Sequence, residues 1–184
     1  MNTDYTNDQL QVLDPNAKVS DDYFAFFGGK SPFSNFYLTN FKYNKHTFCC
    51  SEQAFMYAKA YIMHDFEMAE KIANYELKDK EIPLVYKRMG RKVKNYNDDL
   101  WSKYRQRVMT SILYNKFNNA DLLFLLKATG NRKIIEASPY DGIWGAHVGL
   151  GSINEHWDNF CGDNLLGEIL MELRNINIKA WPSF

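Results

Sequence analysis

Apolar residues in this chain fall into short unbroken runs and into helical spacings, and the two kinds of segment are interleaved. Tyr23-Phe24-Ala25-Phe26-Phe27 is a continuous apolar run closed by Gly28-Gly29, which predicts a buried strand. Phe41 to Cys50 reads as a hairpin that turns near Asn44-Lys45 and returns through Thr47-Phe48-Cys49. Ser51 fits an N-cap, because its hydroxyl can accept a bond from the unpaired amides of a first helical turn. The helix behind it sets Phe55, Ala58 and Ile62 on one apolar stripe. Further helices are predicted at about 66–75, 81–89, 100–117, 120–128 and 164–176. Thr129-Gly130 closes the helix before it, glycine being suited to a left-handed cap. Lys133 to Ala137 reads as a strand feeding a loop at Pro139. Residues 1–22, rich in Asn, Asp and Gln, read as a loose lead-in. With no repeat, linker or break in composition beyond them, residues 23–184 read as one compact α+β domain with more helix than strand.

Composition sharpens this picture in a few places. A chain of 184 residues buries a sizeable core without staples. Its 12 Tyr and 13 Phe are more often core than pocket, although they leave room for a surface that stacks on planar rings. The net charge of zero excludes a polycation built to coat nucleic acid. Charge is unevenly spread, however: from Lys87 to Lys116 nine basic residues stand against two acidic ones, so this segment carries +7 and the remainder −7. Such a dipole can steer a phosphate-bearing ligand to one face, and a solvated helix face accounts for it equally well. Cys49 and Cys50 are adjacent and Cys161 is remote, which is neither a disulfide framework nor a zinc pattern. The four histidines lack ligand spacing, so no metal is expected. The N-terminus has no leader pattern, and no apolar run approaches the roughly 18 residues of a membrane span. A soluble, cytoplasmic protein with no membrane partner is expected.

Two stretches set an acid among aromatic and turn residues. In Ser51-Glu52-Gln53-Ala54-Phe55 the acid lies in a first helical turn, where unpaired amides favour negative charge. Lys59 is seven residues on, and seven steps of about 100° bring it back to the same face two turns away. A helix-start acid and an unrelated surface lysine would look the same. In Pro139-Tyr140-Asp141-Gly142-Ile143-Trp144-Gly145 the acid precedes a glycine, which is also the composition of an ordinary Asx turn. The indole beside it is a core plug or a stacking platform. Gly90-Arg91-Lys92 can end a helix with cations suited to phosphate. Asn164 opens an amphipathic helix that it can cap, or it can bind a ligand; Gly167 within that helix suggests close approach of another backbone.

In order along the chain these pieces resemble the NADAR family of YbiA-like domains. The resemblance is carried by Ser31-Pro32-Phe33-Ser34-Asn35-Phe36-Tyr37, Ser51 to Phe55 with Lys59, Gly90-Arg91, Trp101, Val108-Met109 and Lys116-Phe117. It continues through Thr129-Gly130, Glu136 to Pro139, Asp141, Trp144-Gly145, Gly162 to Gly167, Leu170-Met171 and Arg174. One departure stands out: the family shows a second glycine two residues after its Trp-Gly, where this chain has His147.

The resemblance implies an N-glycosidase that needs no cofactor. Some members are similar to enzymes that remove ADP-ribose from guanine in nucleic acid, others to hydrolases of phosphorylated riboflavin-pathway intermediates. Cleavage builds oxocarbenium character at the anomeric carbon, which a carboxylate stabilises. Glu52 and Asp141 are therefore expected at the ribose. Lys59 or Lys30 is expected as an amine nucleophile or a phosphate ligand. Phe36, Tyr37 and Trp144 are expected to stack on the base, and Arg91 with Lys30 to hold phosphate. Asn35, Trp101, Gly145 and Asn164 complete the implied binding set. The leading expectation is de-ADP-ribosylation of guanine in DNA. A small-molecule glycosidase and a non-catalytic module that binds ADP-ribose or NAD are the alternatives.

Overall fold

A computed structural model of the chain describes residues 5–79 and 81–176. Residues 1–4 of the expected lead-in and 177–184 at the expected end of the domain lie outside the described residues. In chain order the helices are α1 (Asn7–Leu13), α2 (Ser51–Ile62), α3 (Phe66–Ala73), α4 (Leu84–Gly90), α5 (Asp98–Phe117), α6 (Ala120–Ala128), α7 (Ile153–His156) and α8 (Leu165–Asn175). The strands are β1 (Ala17–Val19), β2 (Tyr23–Phe26), β3 (Phe41–Tyr43), β4 (His46–Phe48) and β5 (Lys133–Glu136). The fold is α+β with more helix than strand. The chain divides into two compact units, residues 1–34 with 117–184 and residues 35–116.

The first unit is built on β2. All four of its residues are buried, because it is the central strand of the order β1-β2-β5, antiparallel to β1 and parallel to β5. Alternation sends Phe24 and Phe26 to one face, where both rings meet Phe33 at 4.8 and 5.6 Å, and Phe33 meets Phe117 at 5.9 Å. Tyr23 and Ala25 point the other way, into a cluster with Ile135, Ala137, Ala146 and Ile153. The strand ends one residue earlier than its apolar run, and Phe27 is exposed.

Within the expected lead-in, residues 5–22 carry α1 and β1. Thr6 and Gln9 form a capping box that starts α1, and β1 adds an edge to the sheet. Composition hid this because the segment is fixed by polar groups. Ser31 Oγ donates to Asp14 Oδ2 at 2.6 Å with both residues buried. The Arg132 guanidinium donates to Ser20 O, Tyr5 O and Asn7 Oδ1. Gly130 closes α6 in the left-handed region, with φ of 60°, as its position predicts. Beside it Arg174, buried near the end of α8, donates to Thr129 Oγ1 at 3.0 Å and to Arg132 O at 2.8 Å.

The second unit is organised around α2, which is buried from Ser51 to Ala58 and again at Ala60, a wider belt than the single stripe expected. The β3–β4 hairpin turns at Asn44, whose φ is 51°. Phe48 packs on Tyr57, and Phe55 on Trp101. On α4 the glycine at 90 is a close-approach point, since a Cβ there would fall 2.0 Å from Met56 Sδ. Helix α4 begins at Leu84 rather than near 81, because Pro83 occupies its N-cap. Among the described residues no helix is long and apolar enough to cross a membrane.

Removing the Asp14 carboxylate leaves the buried Ser31 hydroxyl and the Asn16 amide without their acceptor. Asp14→Ala is therefore expected to cost about 1–3 kcal/mol in urea unfolding. An unchanged midpoint would show that the N-terminal segment does not brace the loop at Ser31.

Candidate functional site

Within residues 35–116 the site is built at the start of α2. The expected cap shifts by one: Cys50 is the N-cap and makes no side-chain cap bond, and Ser51 is the first helical residue. The free amides find partners elsewhere. Glu52 N–H donates to Asn35 O at 2.9 Å, and Gln53 Oε1 accepts from Cys49 N–H at 2.9 Å. The Gln53 amide in turn donates to Ile72 O at 2.9 Å, and more weakly to Ala73 O and Tyr75 O. Glu52 is thereby held with only 6% of its surface exposed. Asn35 Oδ1 and Ser51 Oγ, both buried, have no hydrogen-bond partner among the described residues. Buried polar atoms in that condition call for a ligand or ordered water.

Lys59 lies on the Glu52 side of α2, as the seven-residue spacing predicts. Its Nζ donates to Gly90 O at 3.0 Å and sits 4.3 Å from the centre of the Tyr96 ring. Burial pushes its pKa down, Glu52 and Asp98 push it up, and Arg91 pushes it down again. Arg91 follows the last residue of α4 as its C-cap, so the Gly90–Met56 approach brings a second cation to Lys59. Two cations this close repel each other, and an anionic ligand would relieve the strain. Phe36 and Tyr37 are half-buried. Trp101 is buried against Phe55, with ring centroids 4.8 Å apart, and its environment is that of a packing residue.

Residue-by-residue reading of the sequence passed over Lys116. It is 1% exposed, 5.7 Å from the Tyr37 ring centre, and burial lowers its pKa to about 7. The signal was available: Met109, Ile112 and Leu113 define the buried face of α5, and residue 116 falls on it.

Within residues 117–176 the loop after β5 is fixed by backbone bonds. Asp141 Oδ1 accepts from Ile143 N–H at 3.0 Å and Trp144 N–H at 2.8 Å, so the ordinary Asx turn is present and presents a half-buried Trp144. The carbonyls of Ile143 and Trp144 take the N–H groups of Leu165 and Leu166, which supplies the start of α8 with acceptors. Gly145 cannot carry a side chain, because a Cβ would lie 2.9 Å from the carbonyls of Glu136 and Asp141. Asn164 is wholly buried and left-handed, with φ of 50°. Its side chain does not cap α8. Its Oδ1 accepts from Glu136 N–H at 3.0 Å and its Nδ2 donates to Ile134 O at 2.9 Å, so it is a clip on β5 with both ends committed. Lys30 is exposed. Among the described residues no three His, Cys, Asp or Glu gather as metal ligands.

A buried helix-start acid, a paired cation beside it and an indole loop locked by close-packed glycines are held by the same residues that carry the sequence resemblance. The family model described as the NADAR domain matches residues 25–176. Protein irg-1 of Caenorhabditis elegans is 35% identical, covering 90% of this chain and 83% of that protein. N-glycosidase R617 of Acanthamoeba polyphaga mimivirus is 34% identical, covering 86% and 99%. N-glycosidase YbiA of Escherichia coli (strain K12) is 33% identical, covering 85% and 82%. The NMR structure of the E. coli protein YbiA superposes with a TM-score of 0.68 at 28% identity, over 90% of each chain. The chain belongs to the NADAR domain family.

Because the folded-state pKa of Lys116 lies below its ordinary 10.5, the unfolded chain binds more protons than the folded one between about pH 7 and 10. Stability then rises with pH across that window. Lys116→Met removes this contribution, so the stability of the natural protein relative to the variant should climb from pH 7 to pH 10. Parallel curves of urea midpoint against pH would show that the amine is not shifted.

Proposed function

We propose that this chain is an N-glycosidase that hydrolyses the bond between ribose and guanine nitrogen in ADP-ribosylated nucleic acid. The observation that carries the reading is Glu52, a carboxylate almost wholly withdrawn from water and pinned through its own N–H to Asn35. As the C1–N bond lengthens, the sugar gains positive character, and a carboxylate in a dry setting stabilises it far more than one in water. Water adds to C1, and the base departs with a proton. The orphan acceptor Asn35 Oδ1 suits a ribose hydroxyl. Lys59, whose pKa burial and Arg91 push down, suits the diphosphate together with Arg91, and a lowered amine is equally suited to nucleophilic attack on the sugar. Asp141 spends Oδ1 on the turn of its own loop, where it orders Trp144. The names of the mimiviral and bacterial relatives support glycosidic-bond cleavage.

Nucleic acid is favoured as the carrier of the modified base by the basic residues clustered between Lys87 and Arg107, of which Lys92, Lys94 and Lys103 are exposed. Such a surface follows a phosphate backbone and is not needed for a free nucleotide.

The test is mass spectrometry of an oligonucleotide carrying ADP-ribose on guanine. The natural protein should remove the ADP-ribose mass, and Glu52→Gln should slow it by about 100-fold or more. Neutralising Lys92, Lys94 and Lys103 together should weaken turnover of the oligonucleotide and flatten its salt dependence. An inert oligonucleotide, with hydrolysis of a phosphorylated ribosylamine unaffected by the triple substitution, would replace this reading with the small-molecule one.

A further inference from the structure

A cleft of about 710 Å³ opens in residues 35–116, bounded by β4, the start of α2, the end of α3 and α4, and Glu52 is not on its wall. Its surface mixes apolar groups with neutral polar ones from Thr39, Asn40, Gln53 and Asn74, and Glu76 is its only ionic side chain. The Cys49 sulfur forms part of that wall, 3.3 Å from Tyr86 Oη. Cys49 also stands immediately before the N-cap of α2, where the helix dipole favours negative charge. Cys50, buried and next in the chain, is the largest influence on it, donating toward the Cys49 sulfur. Burial opposes ionisation, Tyr86 assists it, and the outcome is a thiol lowered from 9.0 to about 6. The same sharing pushes Cys50 and Tyr86 upward, Cys50 chiefly through its bond to Cys49 and Tyr86 chiefly through burial. The remaining titratable groups on the wall are Tyr75 and Glu76.

We propose that Cys49 is a thiol-modification site at which this cleft admits small neutral or cationic disulfides. The Cys49 thiolate attacks one sulfur of the disulfide; that S–S bond breaks, a new one forms to Cys49, and the departing half leaves as a thiolate that takes a proton from water. The disulfide is the oxidant, and excess thiol reverses the step. Selectivity for charge follows from Glu76 and the thiolate itself, which together repel an anionic disulfide and have no cation on the wall to offset them. A thiolate held by a neighbouring donor also reacts in a pH range where an ordinary thiol is still protonated.

The experiment treats the full chain with cystamine, which is cationic, or oxidised glutathione, which is anionic, at several pH values, followed by intact mass and peptide mapping. The exposed Cys161 serves as the internal reference. One cysteamine adduct on Cys49 is expected, forming several-fold faster than the glutathione adduct, with a rate that levels off by about pH 7, below the range of an ordinary thiol. Cys161→Ser should leave the Cys49 adduct unchanged, Cys49→Ser should abolish it, and Tyr86→Phe should move its rate profile to higher pH. Adducts confined to Cys161 or found on Cys50, equal rates with the two disulfides, or a Cys49 rate that keeps rising above about pH 7 would overturn the proposal. Its outcome does not depend on turnover, so it is read independently of the glycosidase assignment.

Discussion

One backbone hydrogen bond, from Glu52 N–H to Asn35 O, ties the start of α2 to the loop before the hairpin, and the arrangement of residues 35–116 depends on it. A helix start leaves its first amides without intrahelical partners. Here the N-cap Cys50 offers no side-chain oxygen, and the hydroxyl of Ser51 does not reach back. The chain meets the deficit with the carbonyl of a residue seventeen positions earlier. The segments Ser31 to Tyr37 and Ser51 to Phe55 therefore form one structural feature in the folded molecule. Moving the Asn35 carbonyl would release the amide of Glu52 and, with it, the orientation of the carboxylate.

Gln53 extends the same logic to the rest of residues 35–116. It takes the Cys49 amide on one side and gives its own amide to the carbonyls at the end of α3 on the other. A side chain that joins hairpin, α2 and α3 is satisfied at both ends, and buried polar groups add to rigidity only when they are. Gly90 does comparable work through its missing side chain. By letting α4 close on Met56, it places its carbonyl on the Lys59 ammonium and Arg91 within electrostatic range. Glu52 and Lys59 are thus set on α2 and Arg91 at the end of α4, with Asn35 and Gly90 fixing their approach.

Periodicity reached much of this. The buried strand at Tyr23, the hairpin at Asn44, the long helix ending at Phe117 and the glycine closing α6 follow from local pattern, because local sterics decide them. The seven-residue relation of Glu52 to Lys59 was legible for the same reason. What local pattern missed was decided by tertiary partners. The order of residues 5–22 comes from Arg132, more than a hundred residues from the groups it holds, and from Ser31, seventeen residues from Asp14. Asn164 is suited by type to capping or to a ligand, and only the position of β5 turns it into a clip. Trp101, a member of the implied binding set, has Phe55 against it, a neighbour that spacing along the chain does not specify. Lys116 was hidden by a habit of reading lysine as surface, although its own helix face placed it inside.

The departure at His147 shows what the loop conserves in physical terms. Its φ is 57°, a left-handed backbone that glycine adopts freely and that costs another residue roughly 1–2 kcal/mol. The conformation persists because its surroundings over-determine it: Ala146 N–H donates to Glu136 O, Gly162 N–H donates to Ala146 O, and Gly145 and Gly162 pack too closely for any side chain. With the backbone held on both sides, the residue at 147 is free to change chemistry without changing the path of the chain. The imidazole that results lies 3.8 Å from Cys161 Sγ and over the open side of Gly142, where an added Cβ would sit 3.6 Å from Nδ1. That spacing is ordinary van der Waals contact, so the ring packs beside Gly142 without strain.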